Sequence, residues 1–280
     1  MKKIKITSNA KINFTLDLLG LQNGYHLLNS LVASIDLADT ITVKTRADKK
    51  ITVKVKGAKL DCEEKDNNAY KSAKLFMQTF NTNGVDIVIR KRIPIGGGLG
   101  GSSADVVGVI KAMAKLYGID QNLVPVLKAL GSDTVYMYKG GYALMQGRGE
   151  LVTRLNIINK KIYFILMKAD GLISSKFAFS LADKMQVEQE KTTLKARECL
   201  ENDDFEGFKA QLNNHLYLPA KEISKEVQTN FEILSKYGKA NMTGSGNVTY
   251  LTFQNEKERN AVYKALSKNY KQKLIKAQTV

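Results

Sequence analysis

A tract in which five of six consecutive residues are glycine constrains this chain more than any other feature. Gly96-Gly97-Gly98-Leu99-Gly100-Gly101 lies between a β-rich run and a helical one. Upstream, Val85, Ile87 and Ile89 alternate with Asp86, Val88 and Arg90, the two-residue period of a strand. Downstream, Val106, Ile110, Met113 and Tyr117 recur at helical spacing. Residues without a Cβ reach backbone conformations closed to others, and they let a ligand approach the main chain. The N–H groups of such a loop, with the positive end of a helix behind it, form an anion site suited to phosphate. Ser102 and Ser103 stand where a hydroxyl caps that helix and can also reach a metal or a phosphate oxygen. A mobile linker is the plain alternative, but linkers seldom join a strand to an amphipathic helix.

Two familiar phosphate loops do not account for the tract. The Walker pattern is absent, because Gly238-Lys239 is followed by Ala240. The dinucleotide fingerprint Gly-x-Gly-x-x-Gly matches at Gly96, Gly98 and Gly101 and needs an acidic residue at the end of a second strand. Asp120 stands at the right distance but follows Tyr117-Gly118-Ile119 straight off a helix, so that match is coincidental.

With 280 residues the chain is long enough for two domains with separate cores. Its longest apolar run, Ile162 to Met167, is far short of the roughly 18 residues that span a membrane. Lys5, Asn9, Lys11 and Asn13 interrupt the N-terminal segment, which lacks the apolar centre of a signal peptide. Cys62 and Cys199 have no metal-ligand spacing; they suggest a reducing cytoplasm and no zinc. The net charge of +16 is spread over both halves. It suits an anionic small substrate, weak nucleic-acid binding or a lysine-rich proteome alike. Lys264, Lys268, Lys271, Lys273 and Lys276 form the main basic run. No aromatic pairs sit among basic residues on a strand, as base stacking would require, so nucleic acid is an unlikely partner.

Along the chain, Ile12, Phe14, Leu16 and Leu18 alternate with Lys11, Asn13, Thr15 and Asp17, which puts Lys11 and Asn13 on one face of a strand. A turn at Gly20 to Gly24 precedes Tyr25-His26. Strands are expected at 40–43 and 51–55, then a helix to Phe80 capped by Asn67. A helix over 123–130 runs into Gly131-Ser132-Asp133, and the β-branched and aromatic residues of 134–138 predict a strand, placing Asp133 at a helix-to-strand junction. The pattern breaks near 156–161, which sets the domain boundary, with domains over 1–157 and 158–280. The second half reads as a strand at 162–168, helices at 175–185, 192–201, 204–213 and 223–237, a strand at 248–253, a helix at 256–269 and a strand at 274–278. Strands interleaved with helices imply layered α and β structure.

Three motifs stand in order: Ser8-Asn9-Ala10-Lys11-Ile12-Asn13, the loop Pro94 to Ala104, and Thr243-Gly244-Ser245-Gly246. In these the chain resembles the GHMP kinases. Gly24-Tyr25-His26, Asp39-Thr40-Ile41 and Leu130-Gly131-Ser132-Asp133 bring it nearest to the branch whose members phosphorylate an alcohol carried on cytidine diphosphate. The resemblance implies an α+β fold of two domains, the first like domain 2 of ribosomal protein S5 and the second ferredoxin-like. It implies a cytoplasmic enzyme that uses ATP and Mg²⁺, as a monomer or weak homodimer. Asp133 would accept the proton of the attacking hydroxyl, with Lys11 beside it. Pro94, Gly96, Gly97, Gly98, Leu99, Gly100, Gly101, Ser102, Ser103 and Ala104 would hold the nucleotide phosphates, Ser103 near the metal. Asn67 and Lys91 would flank adenine; Asn13, Tyr25, His26, Ser175 and Phe179 would bind substrate along with Asp133. The chain departs from the family pattern at Asn214-His215-Leu216-Tyr217, where Asn-Asp-Leu-Glu is usual, and His215 reads as structural. A diverged relative with another alcohol substrate, or one that binds nucleotide without turnover, is the alternative.

Overall fold

A computed structural model describes residues 1–58, 62–157, 160–185 and 190–280. In chain order the first half contains β1 (Lys3–Asn13), β2 (Thr15–Gln22), β3 (Tyr25–Thr45), β4 (Ile51–Lys56), α1 (Asn68–Phe80), β5 (Val85–Arg90), α2 (Gly101–Tyr117), α3 (Val124–Lys128), α4 (Thr134–Lys139), β6 (Ala143–Gly147) and β7 (Leu151–Arg154). The second contains β8 (Tyr163–Lys168), α5 (Ser175–Met185), α6 (Thr193–Glu201), α7 (Phe205–Ala210), β9 (Asn213–Asn214), α8 (Tyr217–Ile223), α9 (Lys225–Ser235), β10 (Ala240–Met242), β11 (Val248–Phe253), α10 (Glu256–Tyr270) and β12 (Leu274–Gln278). These elements form two compact units. One comprises 1–10, 37–93 and 100–139, the other 11–36, 94–99 and 140–280. The sequence break expected near 156–161 includes 158–159, which lie outside the described residues.

In the first unit the end of β3 pairs antiparallel with β5, Thr40 opposite Arg90 through Thr45 opposite Val85, and β4 pairs parallel with β5. Alternation holds because this sheet has one covered face: Ile41, Val43, Val85, Ile87 and Ile89 are buried. Phe76 of α1 and Val106, Val109, Ile110 and Met113 of α2 are buried with them. Asn67 caps α1 as expected, its side chain accepting from the Ala69 N–H.

In the second unit β2 and β6 flank the first part of β3, and β6 continues into β7. A separate antiparallel sheet has the order β10-β11-β8-β12. Every residue of β11 is buried. One side, with Phe164 and Tyr250, meets Phe14; the other, with Ile165, Met167, Leu251 and Phe253, packs with Leu234 and Leu266. Burial on two faces is why 162–167 reads as an unbroken apolar run.

Four expectations are corrected. Residues 134–139 are helical, not a strand, and Asp133 immediately precedes that helix. The Thr134 hydroxyl donates toward the Leu127 and Gly131 carbonyls, which anchors the turn and outweighs the local β preference. Ser102 and Ser103 do not cap α2: Gly100, at φ 71°, is its N-cap, and both serines lie in the first turn. The helix expected over 223–237 begins only at Lys225, because Ser224 takes an extended conformation and caps it through Val227 N–H, and a separate short helix, α8, precedes it. Finally, β3 runs from 25 to 45 rather than 40 to 43. Residues 29–35 are all buried, so alternation gives no signal there.

Candidate active site

The glycine tract is built by two close approaches. Gly98 (φ +71°) and Gly244 (φ +58°) bring two loops into backbone contact: a Cβ on Gly98 would lie 2.0 Å from the Thr243 oxygen, and one on Gly244 would lie 2.8 Å from the Gly98 Cα. No other residue type fits either position. The loop's carbonyls face the protein. Gly96 O accepts from Asn247 N–H (3.1 Å), Leu99 O from Lys11 N–H (3.0 Å) and Gly98 O from the Thr243 hydroxyl (3.3 Å). The N–H groups of Gly98 through Ser103 find no acceptor among the described residues. An array of unclaimed amides at the start of a 17-residue helix is an anion cradle in composition and polarity.

Asn13 organises the strand beneath. Its Oδ1 accepts from the Lys11 ammonium (2.5 Å) and from Gly244 N–H (3.0 Å), while its Nδ2 donates to Ser30 Oγ (2.8 Å). Its backbone N–H donates to Thr243 Oγ1 (3.0 Å). Lys11, only 5% exposed, is thus held by an asparagine that also fixes the late glycine turn. Asn214 secures the other side of that turn, donating to Met242 O (2.7 Å) and Gly244 O (2.8 Å). In the other unit, Asp133 is half-buried and its carbonyl accepts the Met137 N–H, the first bond of α4.

Of the residues expected to bind substrate, His26 and Phe179 come together, ring centroids 4.7 Å apart. His26 Nε2 pairs with Asp183 at 2.7 Å, a carboxylate the sequence reading missed. The exposed Tyr25 ring carries the Arg148 guanidinium 4.2 Å from its centroid. Ser175 hydrogen-bonds Ser245 (2.7 Å), which ties α5 to the late glycine turn. His215 is buried: Nδ1 accepts from Leu18 N–H (3.1 Å) and Nε2 donates to Glu190 O (3.0 Å), a framework role.

Of the residues expected near adenine, Asn67 uses its side chain in the α1 cap, and its neighbour Asn68 donates to Ser102 Oγ at 2.7 Å. The Lys91 ammonium is 5% exposed and lies between Asp39 (2.5 Å) and Asp105 (2.7 Å). Burial pushes the Asp105 carboxyl up to about 7 despite Lys91, and Asp39 adds to the effect. Asp105 carried a faint sequence signal as the one acid in α2, and Asp39 carried none. Nothing in the pattern paired them with Lys91. No group of three or more His, Cys, Asp or Glu that could hold a metal occurs among the described residues.

Comparison with known proteins places these features. The family model described as the GHMP kinases N terminal domain matches residues 67–142, and the GHMP kinases C terminal model matches 196–272. The 4-diphosphocytidyl-2-C-methyl-D-erythritol kinase of Clostridium beijerinckii is 31% identical over 97% of this chain and 99% of its own. The protein of the same name from Macrococcus caseolyticus is 31% identical over 92% and 93%. Among solved structures, a 4-(cytidine 5'-diphospho)-2C-methyl-D-erythritol kinase superposes with a TM-score of 0.80 at 22% identity, covering 98% of each chain. A homoserine kinase from Cytophaga hutchinsonii reaches 0.71 at 15% identity, covering 100% of this chain and 95% of its own. The fold is therefore the mixed α+β, two-domain architecture of these kinases, as the motifs implied. With both family domains in order and full-length relatives sharing one name, the chain belongs to the 4-diphosphocytidyl-2-C-methyl-D-erythritol kinase family of GHMP kinases.

Proposed function

We propose that the protein transfers the γ-phosphoryl group of ATP to the 2-hydroxyl of 4-diphosphocytidyl-2-C-methyl-D-erythritol, a step in non-mevalonate isoprenoid precursor synthesis. The observation that carries this is the glycine tract, whose Gly96, Gly98 and Leu99 carbonyls accept from the protein and whose amides from Gly98 to Ser103 find no acceptor among the described residues. The relatives' shared name supplies the acceptor. In this mechanism Asp133 takes the proton of the 2-hydroxyl as its oxygen bonds to the γ-phosphorus. The bond from that phosphorus to the β-bridging oxygen breaks, and ADP leaves with the electron pair. Lys11, held in place by Asn13, offsets charge on the phosphoryl oxygens. Such transition states are loose, so positioning and charge neutralisation supply most of the acceleration.

Pro94 through Ala104 hold the phosphates, with Asn67 and Lys91 on the nucleotide side. Tyr25, His26, Ser175 and Phe179 hold the cytidine, and Asn13 also contacts the substrate. Mg²⁺ neutralises charge on the β- and γ-phosphates when bound. The Ser103 hydroxyl would be a protein ligand for the ion. The two functional halves are 1–157 and 158–280, and the enzyme works on dissolved small molecules in the cytoplasm as a monomer or weak homodimer. No helix among the described residues is long and apolar enough to cross a membrane. A coupled ADP-release assay over a panel of alcohols tests the assignment. Turnover dependent on the cytidylated methylerythritol is expected; turnover of a different alcohol alone would replace the substrate.

A further inference from the structure

Beneath the start of α2 lies an ion cluster whose two carboxylates the mechanism leaves without a task. Lys91 Nζ donates to Asp39 Oδ2 (2.5 Å), Asp105 Oδ2 (2.7 Å) and Gly101 O (3.4 Å). Asp39 is fully buried, and its other oxygen accepts the N–H groups of Arg92 (2.5 Å) and Ile93 (3.0 Å). One carboxylate on β3 therefore grips three successive residues, 91 to 93, where the chain leaves β5 for the glycine tract. Through Lys91 it also reaches Gly101, where that tract becomes α2. The second carboxylate is satisfied far less well: Asp105 Oδ1 is buried and has no hydrogen-bond partner.

Two buried carboxylates sharing one ammonium are an expensive way to fill a core, because apolar groups of the same volume are often as stable or more so. Apolar groups, however, cannot fix the direction of two backbone N–H groups and a carbonyl. We propose that Asp39, acting through Lys91 and the Arg92 and Ile93 amides, is a positioning residue for phosphoryl transfer, clamping both ends of the glycine tract so that its amides meet the nucleotide phosphates. This rests on the assignment of that tract to ATP. It gives Lys91 an indirect role, since its three donor directions are already committed inside the protein. A displacement of about 1 Å in such a cradle can cost on the order of a hundredfold in rate.

The two carboxylates differ in what an amide does to them. In Asp39→Asn one end of the side chain becomes an NH₂, which either faces the Arg92 and Ile93 N–H groups or turns to the Lys91 and Asp105 side, and each choice takes an acceptor away from the clamp. In Asp105→Asn the NH₂ can turn to the side where no donor now stands, and Lys91 keeps an oxygen. Steady-state kinetics of the full chain should thus show the ATP KM rising about tenfold or more in Asp39→Asn, with the alcohol KM within about threefold of wild type. Asp105→Asn should shift the ATP KM by about threefold at most. Hydrogen–deuterium exchange of the same proteins should show faster exchange in Asp39→Asn confined to residues 92–104. If Asp39→Asn does not fold, the double variant Lys91→Gln/Asp105→Asn removes the Lys91 half of the clamp and leaves the Arg92 and Ile93 amides on Asp39, so it should raise the ATP KM by a smaller factor, about threefold to tenfold, with faster exchange confined to 100–104. Equal ATP KM values in wild type and Asp39→Asn, or faster exchange spread through the whole unit, would overturn the clamp. A wild-type protein that binds no ATP would instead remove the nucleotide assignment itself.

Discussion

Replacing Gly98 by alanine tests whether the phosphate cradle is built by the contact of two loops. Gly98 has φ +71°, and a Cβ there meets Thr243 O at 2.0 Å, Thr243 C at 2.8 Å and Gly246 O at 3.1 Å. All three are backbone atoms, so no side chain can rotate away. An unstrained carbon-to-oxygen approach is about 3.3 Å, which means the loops must part by roughly 1.3 Å. The left-handed conformation costs alanine about 1–2 kcal/mol, and overpacking adds about 1–3 kcal/mol. Separation also breaks the Thr243 hydroxyl bond to Gly98 O, worth about 1 kcal/mol. The sum, about 3–6 kcal/mol, is a large fraction of the stability of an ordinary domain. Gly118 is the matched control: its φ is +67°, and a Cβ there meets nothing within 4 Å. Gly118→Ala should therefore show the conformational term alone, about 1–2 kcal/mol. Urea unfolding of both variants, with ATP titration by calorimetry, separates the terms. Gly98→Ala should be less stable than Gly118→Ala by about 2–4 kcal/mol and should bind ATP weakly or not at all. Equal stabilities for the two variants would show that the loops do not depend on each other, and the account of the cradle would fail.

Asp133→Asn should lower kcat by about a thousandfold or more while leaving ATP binding within about threefold, as calorimetric titration beside the ADP assay would show. Lys273 hydrogen-bonds Glu226 and, with help from the Asp170 N–H, holds that carboxyl below its ordinary range in spite of partial burial. A depressed folded-state value means stability that is complete above the unfolded carboxylate range and lost as pH falls through the folded value. Lys273→Met should therefore melt lower than wild type at pH 7, by about 0.5–1 kcal/mol at this half-exposed pair, and the two curves should converge well below pH 4. His215→Phe leaves Leu18 N–H without its acceptor and Glu190 O without its donor, so it should cost about 2–4 kcal/mol in urea unfolding while kcat stays near wild type.

What the sequence determined by itself was local and periodic. The strand, glycine tract and helix of 85–117 were legible because each announces itself within a few residues, and the apolar runs at 162–168 and 248–253 stand out for the same reason. Lys11 and Asn13 share a strand face by simple alternation, and the structure joins them at 2.5 Å. Tertiary structure decided everything that depends on who faces whom. Residues 134–139 carry β-branched and aromatic side chains, yet they form a helix because a buried hydroxyl finds carbonyls at 127 and 131, and Lys111 donates to Tyr138 O. Residues 29–35 hid a strand because packing on both faces erases the period. Asp39, Lys91 and Asp105 gave no sign of one another, since a short charged side chain shows no partner until the fold has excluded water from around it. The same is true of Gly98 and Gly244: each glycine is visible in the chain, but the contact that forbids any other residue exists only once the two loops meet.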